Sequence, residues 1–423
     1  MQNKLINIKG MEMNSSEQSG KDLNLILLMG LFPQQIRKDI ELKSKGVIQY
    51  AADALQWSFV KGFDFFSNVK IINLPFIGSY PLRFKTIKSK TFSFKHIKDA
   101  DDVNVGFLNL PIIKIFSRYR NAKKELMRTL SQISGETVIV IYSIHSPFLC
   151  AAVAVKRKYP DTKICVIVPD LPQFMSDTKN ILYHILKSID SLLIKKALNK
   201  VDFFVLLSDH MADALRVNNR PYVRVEGIYN PSDSTDAAAK EKNKTILYSG
   251  TLARRYGIMN LINAFSAIDK PDYRLWICGE GDCRAEIENR AKSDDRIRYL
   301  GQLSRCEVLE LQKRATVLVN PRTSEGEFTK FSFPSKIMEY LASGTPCVMH
   351  RLKGIPEEYF QYCFISDKEN ADGLRDVILA VCEKEQSELD DLGRKAARFI
   401  KEQKNPTVQV KKIYEMFMKY YNE

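Results

Sequence analysis

The chain predicts an α/β architecture: two doubly wound parallel-sheet domains facing a central cleft. Three observations carry this expectation. Apolar runs of strand length, bounded by glycine, proline or polar clusters, alternate with helix-length amphipathic segments in both halves. At 423 residues the chain exceeds what a single hydrophobic core normally serves. A polar, alanine- and lysine-rich segment, Ser232 to Asn243, lacks any periodic apolar pattern and separates the halves. The domains are therefore expected at 21–231 and 244–404, with 232–243 as linker. A helix over 405–423 is expected to cross back to the first domain, and 1–20 reads as a disordered lead-in without a signal-peptide core.

The first half opens on a strand, Leu23 to Met29. Gly30 and Phe32-Pro33 form its loop, and a helix follows over Gln35 to Lys43. A basic, aromatic stretch comes next, cut into short pieces by Pro75 and Pro81. A helix over Tyr119 to Ile133 leads to the strand Thr137–Tyr142, which ends at His145. After a helix over Phe148 to Lys158, the strand Lys163–Val168 ends at Asp170. In open α/β sheets ligands bind outside the carboxyl ends of strands, so His145 and Asp170 are both placed to face a cleft. Each also has a purely structural reading: a satisfied imidazole for His145, an Asx turn before Pro172 for Asp170. Asn180 to Lys200 is an amphipathic helix with a basic face, suited to a domain core or to a membrane surface. The strand Phe203–Ser208 and a helix beginning near Met211 complete this half.

The second half repeats the alternation. The strand Thr245–Ser249 runs into a loop with Gly250, Gly257 and the pair Arg254-Arg255. A helix over Met259 to Ala267 precedes the strand Tyr273–Cys278, which ends at Gly279-Glu280-Gly281. Asp282 is placed to cap the next helix. Arg296 to Leu300 is a short strand, Glu307 to Arg314 a helix, Ala315 to Asn320 a buried strand. The polar loop Pro321 to Lys330, with Arg322, Glu325 and Glu327, leads to Pro334 at a helix start. Ile337, Met338, Leu341 and Ala342 give that helix a narrow apolar stripe; Gly344 and Pro346 end it. The strand Cys347–Met349 follows, then helices over Ala371 to Glu385, Ser387 to Glu402 and, after Asn405-Pro406, Val408 to Tyr421.

The loop and helix mouth around Ser335 and Lys336 carry the chemistry. A helix N-terminus beside hydroxyl and amine groups favours an anion. Glu339 lies one turn on and can share that face. Gly250 allows close backbone approach, and Arg254 and Arg255 suit phosphate oxygens. Such cations can stabilise a departing diphosphate without a metal ion. Neither phosphate-binding glycine signature occurs at these loops, and Gly279-Glu280-Gly281 alone does not indicate a dinucleotide.

Composition narrows the class. Hydrophobic content of 45% and charged content of 27% fit a globular protein, and no apolar run reaches the roughly 18 residues that span a bilayer. The eight cysteines show no zinc spacing and sit mostly in apolar runs, so neither zinc nor disulfides are expected. The net charge of +14 concentrates in Lys61 to Lys98, interleaved with phenylalanines. A solvated face explains this as well as an anionic surface does. Between anionic surfaces a membrane is favoured over nucleic acid, because no nucleic-acid-binding pattern accompanies the charge. The cytoplasm, with peripheral contact to the membrane's inner face, is the expected location.

Tyr248-Ser-Gly-Thr-Leu252, Leu275 to Gly281, Tyr299-Leu-Gly301, Leu318 to Arg322 and Phe333 to Pro346 together resemble the donor domain of family 4 glycosyltransferases. The resemblance covers Lys244 to Phe364 and implies a GT-B fold of two Rossmann-like domains. It implies retaining, metal-independent transfer of a sugar from a nucleotide sugar to a glycan or lipid-linked acceptor, in cell-surface polysaccharide or glycolipid synthesis. Glu339 then holds the donor ribose; Glu280, Tyr299 and Leu300 lie by the nucleotide; His145 lies near the transferred sugar. The family's first glutamate position holds Phe331 instead, and Thr251 and Tyr256 stand at its usual arginine and lysine positions. Two alternatives stay open: a nucleotide-sugar-binding protein without catalysis, motivated by Phe331, and a nucleotide-sugar epimerase on the same fold.

Overall fold

A computed structural model describes residues 23–171, 181–217, 219–230 and 238–422, without the side chains of 181–187. The expected lead-in and residues 232–237 of the expected linker lie outside the described residues. The first domain is built on one sheet. Its strands are β1 (Asn24–Met29), β2 (Val69–Asn73), β3 (Phe92–Phe94), β4 (Asp102–Asn104), β5 (Thr137–Tyr142), β6 (Lys163–Val168), β7 (Phe203–Leu206) and β8 (Tyr222–Arg224). They lie in the order β3-β4-β2-β1-β5-β6-β7-β8, all neighbours parallel except β3 with β4. β1, β5 and β6 are apolar and buried almost throughout, because helices cover both faces. Those helices are α1 (Gln34–Lys43), α2 (Tyr50–Phe63), α3 (Ile113–Leu130), α4 (Ser146–Lys156), α5 (Ile181–Leu198) and α6 (His210–Leu215).

The second sheet contains β9 (Lys244–Ser249), β10 (Tyr273–Cys278), β11 (Ile297–Gly301), β12 (Val317–Asn320), β13 (Cys347–His350) and β14 (Cys363–Ser366). It is wholly parallel, in the order β11-β10-β9-β12-β13-β14. Numbered from its own first strand this is 3-2-1-4-5-6, the doubly wound order with its switch point between the first and fourth strands. Helices α7 (Ile258–Ser266), α8 (Arg284–Ser293), α9 (Arg305–Arg314), α10 (Lys336–Ser343), α11 (Ala371–Cys382) and α12 (Gln386–Gln403) flank it. The expected two-domain, parallel-sheet α/β class is what the chain adopts.

The last helix, α13 (Pro406–Asn422), packs on the first domain. Val410, Ile413 and Phe417 enter its core beside Phe59, Val60 and Phe63. Burial of three such side chains stabilises the docking by roughly 1.5–3 kcal/mol each. At the crossover Lys404 Nζ donates to Glu226 (2.6 Å), which also accepts from the Tyr359 hydroxyl at 2.7 Å; all three side chains are buried. On the opposite side of the cleft, Ser208 Oγ donates to the Lys330 carbonyl (2.7 Å). Phe331 inserts into the first domain's core. These contacts set the distance between the facing sheets.

Local expectations change in four places. The helix α2 and the strands β2, β3, β4, β8 and β14 have no counterpart among the expected elements; each of these strands has at most five residues and so little apolar pattern of its own. The Lys61–Lys98 stretch does not form one surface: Phe63, Phe84 and Phe94 are core residues, and Lys70 pairs with Asp101. Asp282 does not cap α8; its carboxylate accepts from the Arg254 backbone N–H at 3.3 Å, and Cys283 takes the cap position. On α5, Ile194, Ala197 and Leu198 face the core while Ile189, Leu192 and Leu193 are exposed.

Candidate functional site

The switch point of the second sheet opens the site. β9 and β12 are hydrogen-bonded neighbours, yet their loops diverge to opposite faces, leaving a crevice at their carboxyl ends. A cavity of about 580 Å³ occupies it. Its floor and walls come from Ser249 to Thr251 at the end of β9, Asn320 and Arg322 at the end of β12, and Phe331 to Lys336 at the start of α10. Asp170 and Leu171 close it from the first domain.

The second domain's wall carries three cations and one carboxylate, Glu327, which accepts from Lys330 Nζ at 3.1 Å. Arg255, Arg322 and Lys336 all line the cavity. Arg322 is only 8% exposed. Its Nη2 donates to Ser332 Oγ at 2.7 Å, and its guanidinium lies 4.7 Å from the Phe328 ring centroid and 5.3 Å from that of Tyr256. Its Nε has no partner, and among the described residues no carboxylate pairs with Arg322 or Arg255. Burial, with the Arg255 charge nearby, pushes the Arg322 guanidinium below its ordinary pKa. A charge held against that cost is one an incoming anion would satisfy.

At the mouth of α10, exposed Ser335 takes the N-cap position but makes no side-chain cap bond, so its hydroxyl is available to the cavity. Pro334 sits one residue earlier, outside the helix, and its carbonyl accepts from the Ile337 N–H. Lys336 Nζ donates to Glu339 Oε1 at 2.7 Å, and Gln312 Nε2 donates to the same oxygen at 2.7 Å. Burial alone would raise the Glu339 carboxyl; Lys336 and Gln312 outweigh it, so the carboxyl lies below its ordinary value and is ionised. Gln312 also reaches Ser249 Oγ at 3.2 Å, tying α9 and α10 to the β9 loop. Neither Gln312 nor Arg322 is singled out by the sequence reading. Gln312 carries no motif, and Arg322 is one charged residue in a polar loop.

The other expected residues separate into two groups. Gly250 lines the cavity, but its N–H is committed to the Cys278 carbonyl at 3.0 Å, so it supplies space and not a donor. The requirement for glycine is firmer at Gly279, where φ is 138° and a Cβ would lie 1.8 Å from the Gly250 carbonyl oxygen. Asp170 lines the opposite side of the cavity; the residue is exposed, and partial desolvation at the cavity raises its carboxyl above the ordinary range. Arg254 is turned away, 65% exposed and paired with Glu286 on α8. Glu280 accepts from Arg284 at 3.0 Å and from the Tyr299 hydroxyl at 3.3 Å; this pair and Leu300 stand at the ends of β10 and β11, outside the cavity lining.

His145 does not line the cavity either. It follows β5, at the switch point of the first sheet, but Phe76 and Phe148 flank its ring, with centroids 5.4 and 4.7 Å away. Buried Arg118 donates to its Nε2 at 3.1 Å. Burial, then the charges of Arg118 and Lys114, hold the imidazole well below its ordinary pKa, so it is neutral with its proton on Nδ1. Phe331, where the resemblance puts a glutamate, lines the cavity and also packs into the first domain's core. Among the described residues no group of three or more His, Cys, Asp or Glu side chains is placed to hold a metal ion.

Residues 231–404 match the family described as glycosyl transferases group 1. No curated protein sequence matches the chain significantly. Among solved structures, the chain is similar to a sucrose-phosphate synthase from Thermosynechococcus elongatus (15% identity, 94% of this chain and 100% of that one, TM-score 0.60). It is similar to the Anabaena protein HepE in complex with UDP (11%, 93% and 99%, TM-score 0.59). It is also similar to the catalytic domain of starch synthase IV from Arabidopsis thaliana bound to ADP and acarbose (10%, 95% and 100%, TM-score 0.61). The chain thus has the two-domain GT-B fold, and its second domain is similar in sequence to the group 1 glycosyl transferases.

Proposed function

We propose that this protein transfers a sugar from a nucleoside-diphosphate sugar to a glycan or lipid-linked acceptor, with retention at the anomeric carbon and without a metal ion. The setting is cell-surface polysaccharide or glycolipid synthesis, in the cytoplasm at the membrane's inner face. One observation carries the reading: Arg255, Arg322 and Lys336 converge on one interdomain cavity, and the two arginines have no described carboxylate to neutralise them. A diphosphate supplies the missing charge. As the bond to the sugar breaks, negative charge grows on the departing phosphate, where preformed cations and the α10 N-terminus act most strongly. Ionised Glu339, steered by Lys336 and Gln312, is suited to accept hydrogen bonds from ribose hydroxyls. Asp170, on the cavity's other side, contacts the acceptor hydroxyl or takes its proton in this reading, and a raised carboxyl supports the role of base near neutral pH.

The test is a thermal-shift panel of UDP-, GDP- and ADP-sugars followed by transfer assays, with Lys336→Ala and Glu339→Ala in parallel. Each variant should lose at least about a hundredfold in kcat/KM while keeping its circular dichroism. Full activity in both would reject the site. A second reading, nucleotide-sugar binding without transfer, is favoured by Phe331 alone; donor binding with no turnover on any acceptor extract would select it.

A further inference from the structure

We infer that the first domain docks on an anionic lipid bilayer through a basic, apolar depression at the N-terminal end of α3. This deepens the membrane-side location proposed above but does not depend on sugar transfer.

Two long segments carry no acidic residue: one between Asp64 and Asp99, the other between Asp102 and Glu125. The fold lays them side by side. Ser89 N–H donates to the Phe107 carbonyl (2.9 Å) and Asn109 N–H to the Ile87 carbonyl (2.7 Å). The result is a depression of about 730 Å³ lined by Lys88, Lys90 and Arg120 together with Leu108, Ile113 and Phe116. The three apolar side chains are 43%, 46% and 68% exposed. Ile112 and Ile115 beside them are exposed too, and Ile112 adopts φ 65°, a backbone β-branched residues rarely take. Among the described residues no carboxylate pairs with Lys88, Lys90 or Arg120.

Solvated lysines alone need no partner, and isolated exposed apolar residues are ordinary. Here both occur in one concavity without a single acid. An anionic bilayer matches both halves: headgroups for the cations, the acyl boundary for Phe116 and Ile113. A nucleic acid would leave the aliphatic tips in water. Location adds a further argument. Lys114 and Arg118, on the inner side of the same helix end, donate to the carbonyls of Ile77 and Leu74, just past the carboxyl end of β2. The depression is therefore at the end of the sheet where Asp170 faces the cavity, so docking would bring the cleft's rim to the lipid surface and to a lipid-linked acceptor.

Co-sedimentation with sucrose-loaded vesicles tests this, comparing phosphatidylcholine alone with a phosphatidylglycerol-rich mixture. The whole protein should bind the anionic vesicles, bind phosphatidylcholine much less, and release as salt rises. At about fivefold per basic residue, Lys88→Glu/Lys90→Glu should weaken binding at least about 25-fold. Ile113→Ser/Phe116→Ser should weaken it at least about tenfold. These side chains lie outside the nucleotide-facing cavity, so nucleotide-induced thermal shifts in the same preparations should be unchanged and report correct folding. No vesicle binding, equal binding to both lipids, unaltered binding by the variants, or preference for single-stranded RNA over vesicles would each overturn the inference. A missing nucleotide shift with intact vesicle binding would instead remove the donor reading and leave this one standing.

Discussion

Arg322→Met separates a binding role from a structural one. Methionine keeps most of the side-chain length and apolar contact but removes the charge. In the folded protein the change deletes one hydrogen bond to Ser332 Oγ, which keeps its own bond to the Phe328 carbonyl at 3.0 Å, so no donor is stranded. It also deletes two cation–π contacts, worth up to about 2 kcal/mol each at a desolvated site such as this one. Against these losses stands the relief of a buried guanidinium with no described anion and a second arginine nearby. The terms nearly cancel, so stability should stay within about 1 kcal/mol of the parent. Donor binding has no such compensation. A hydrogen bond to a charged group contributes about 1.5–3 kcal/mol, so nucleoside-diphosphate affinity should fall about 10- to 150-fold. Calorimetric titration with UDP, GDP and ADP, beside scanning calorimetry of the free protein, reads both quantities. Affinity within threefold of the parent, combined with a collapse in Tm, would refute the reasoning and make Arg322 a structural residue.

Asp170→Asn should lower kcat by about 10²–10⁴-fold while nucleotide-sugar affinity holds, because the carboxyl lines the cavity from the other domain; a loss confined to donor affinity would place Asp170 on the wrong substrate. His96 should give the first domain a pH-dependent stability. Burial lowers its pKa, but hydrogen bonds to Asp102 (2.6 Å) and Asp64 (2.9 Å) prevail and raise it to about 9. The stabilisation, about 3 kcal/mol from a rise of that size, is complete below the ordinary pKa of 6.5 and is lost as pH climbs through about 9. Urea titrations between those limits should show the decline, and His96→Gln should flatten it.

Many of the strands and the Ser335–Lys336–Glu339 group were legible in the chain because both are local statements. β5, β6 and β10 coincide with their apolar runs residue for residue, since a strand covered on both faces must be apolar at nearly every position. The Ser335–Lys336–Glu339 group sits within one helical turn, so its mutual geometry follows from helix periodicity alone. Short strands such as β2 and β8 were illegible because three to five residues carry too little pattern of their own.

What only the tertiary structure decided is where side chains from separate segments point. Two adjacent arginines look equivalent in sequence, yet Glu286 draws Arg254 out to solvent while Arg255 stays at the cavity. Arg322 joins the site only because β12 lies beside β9. Histidine at a strand's carboxyl end satisfies the positional rule, but Phe76, contributed from 69 residues earlier, closes over His145. The order of elements is written in apolar periodicity, which each segment carries by itself. The direction of a charge depends on which counter-charge or ring the fold brings within a few ångströms, and that is fixed only when the sheets assemble.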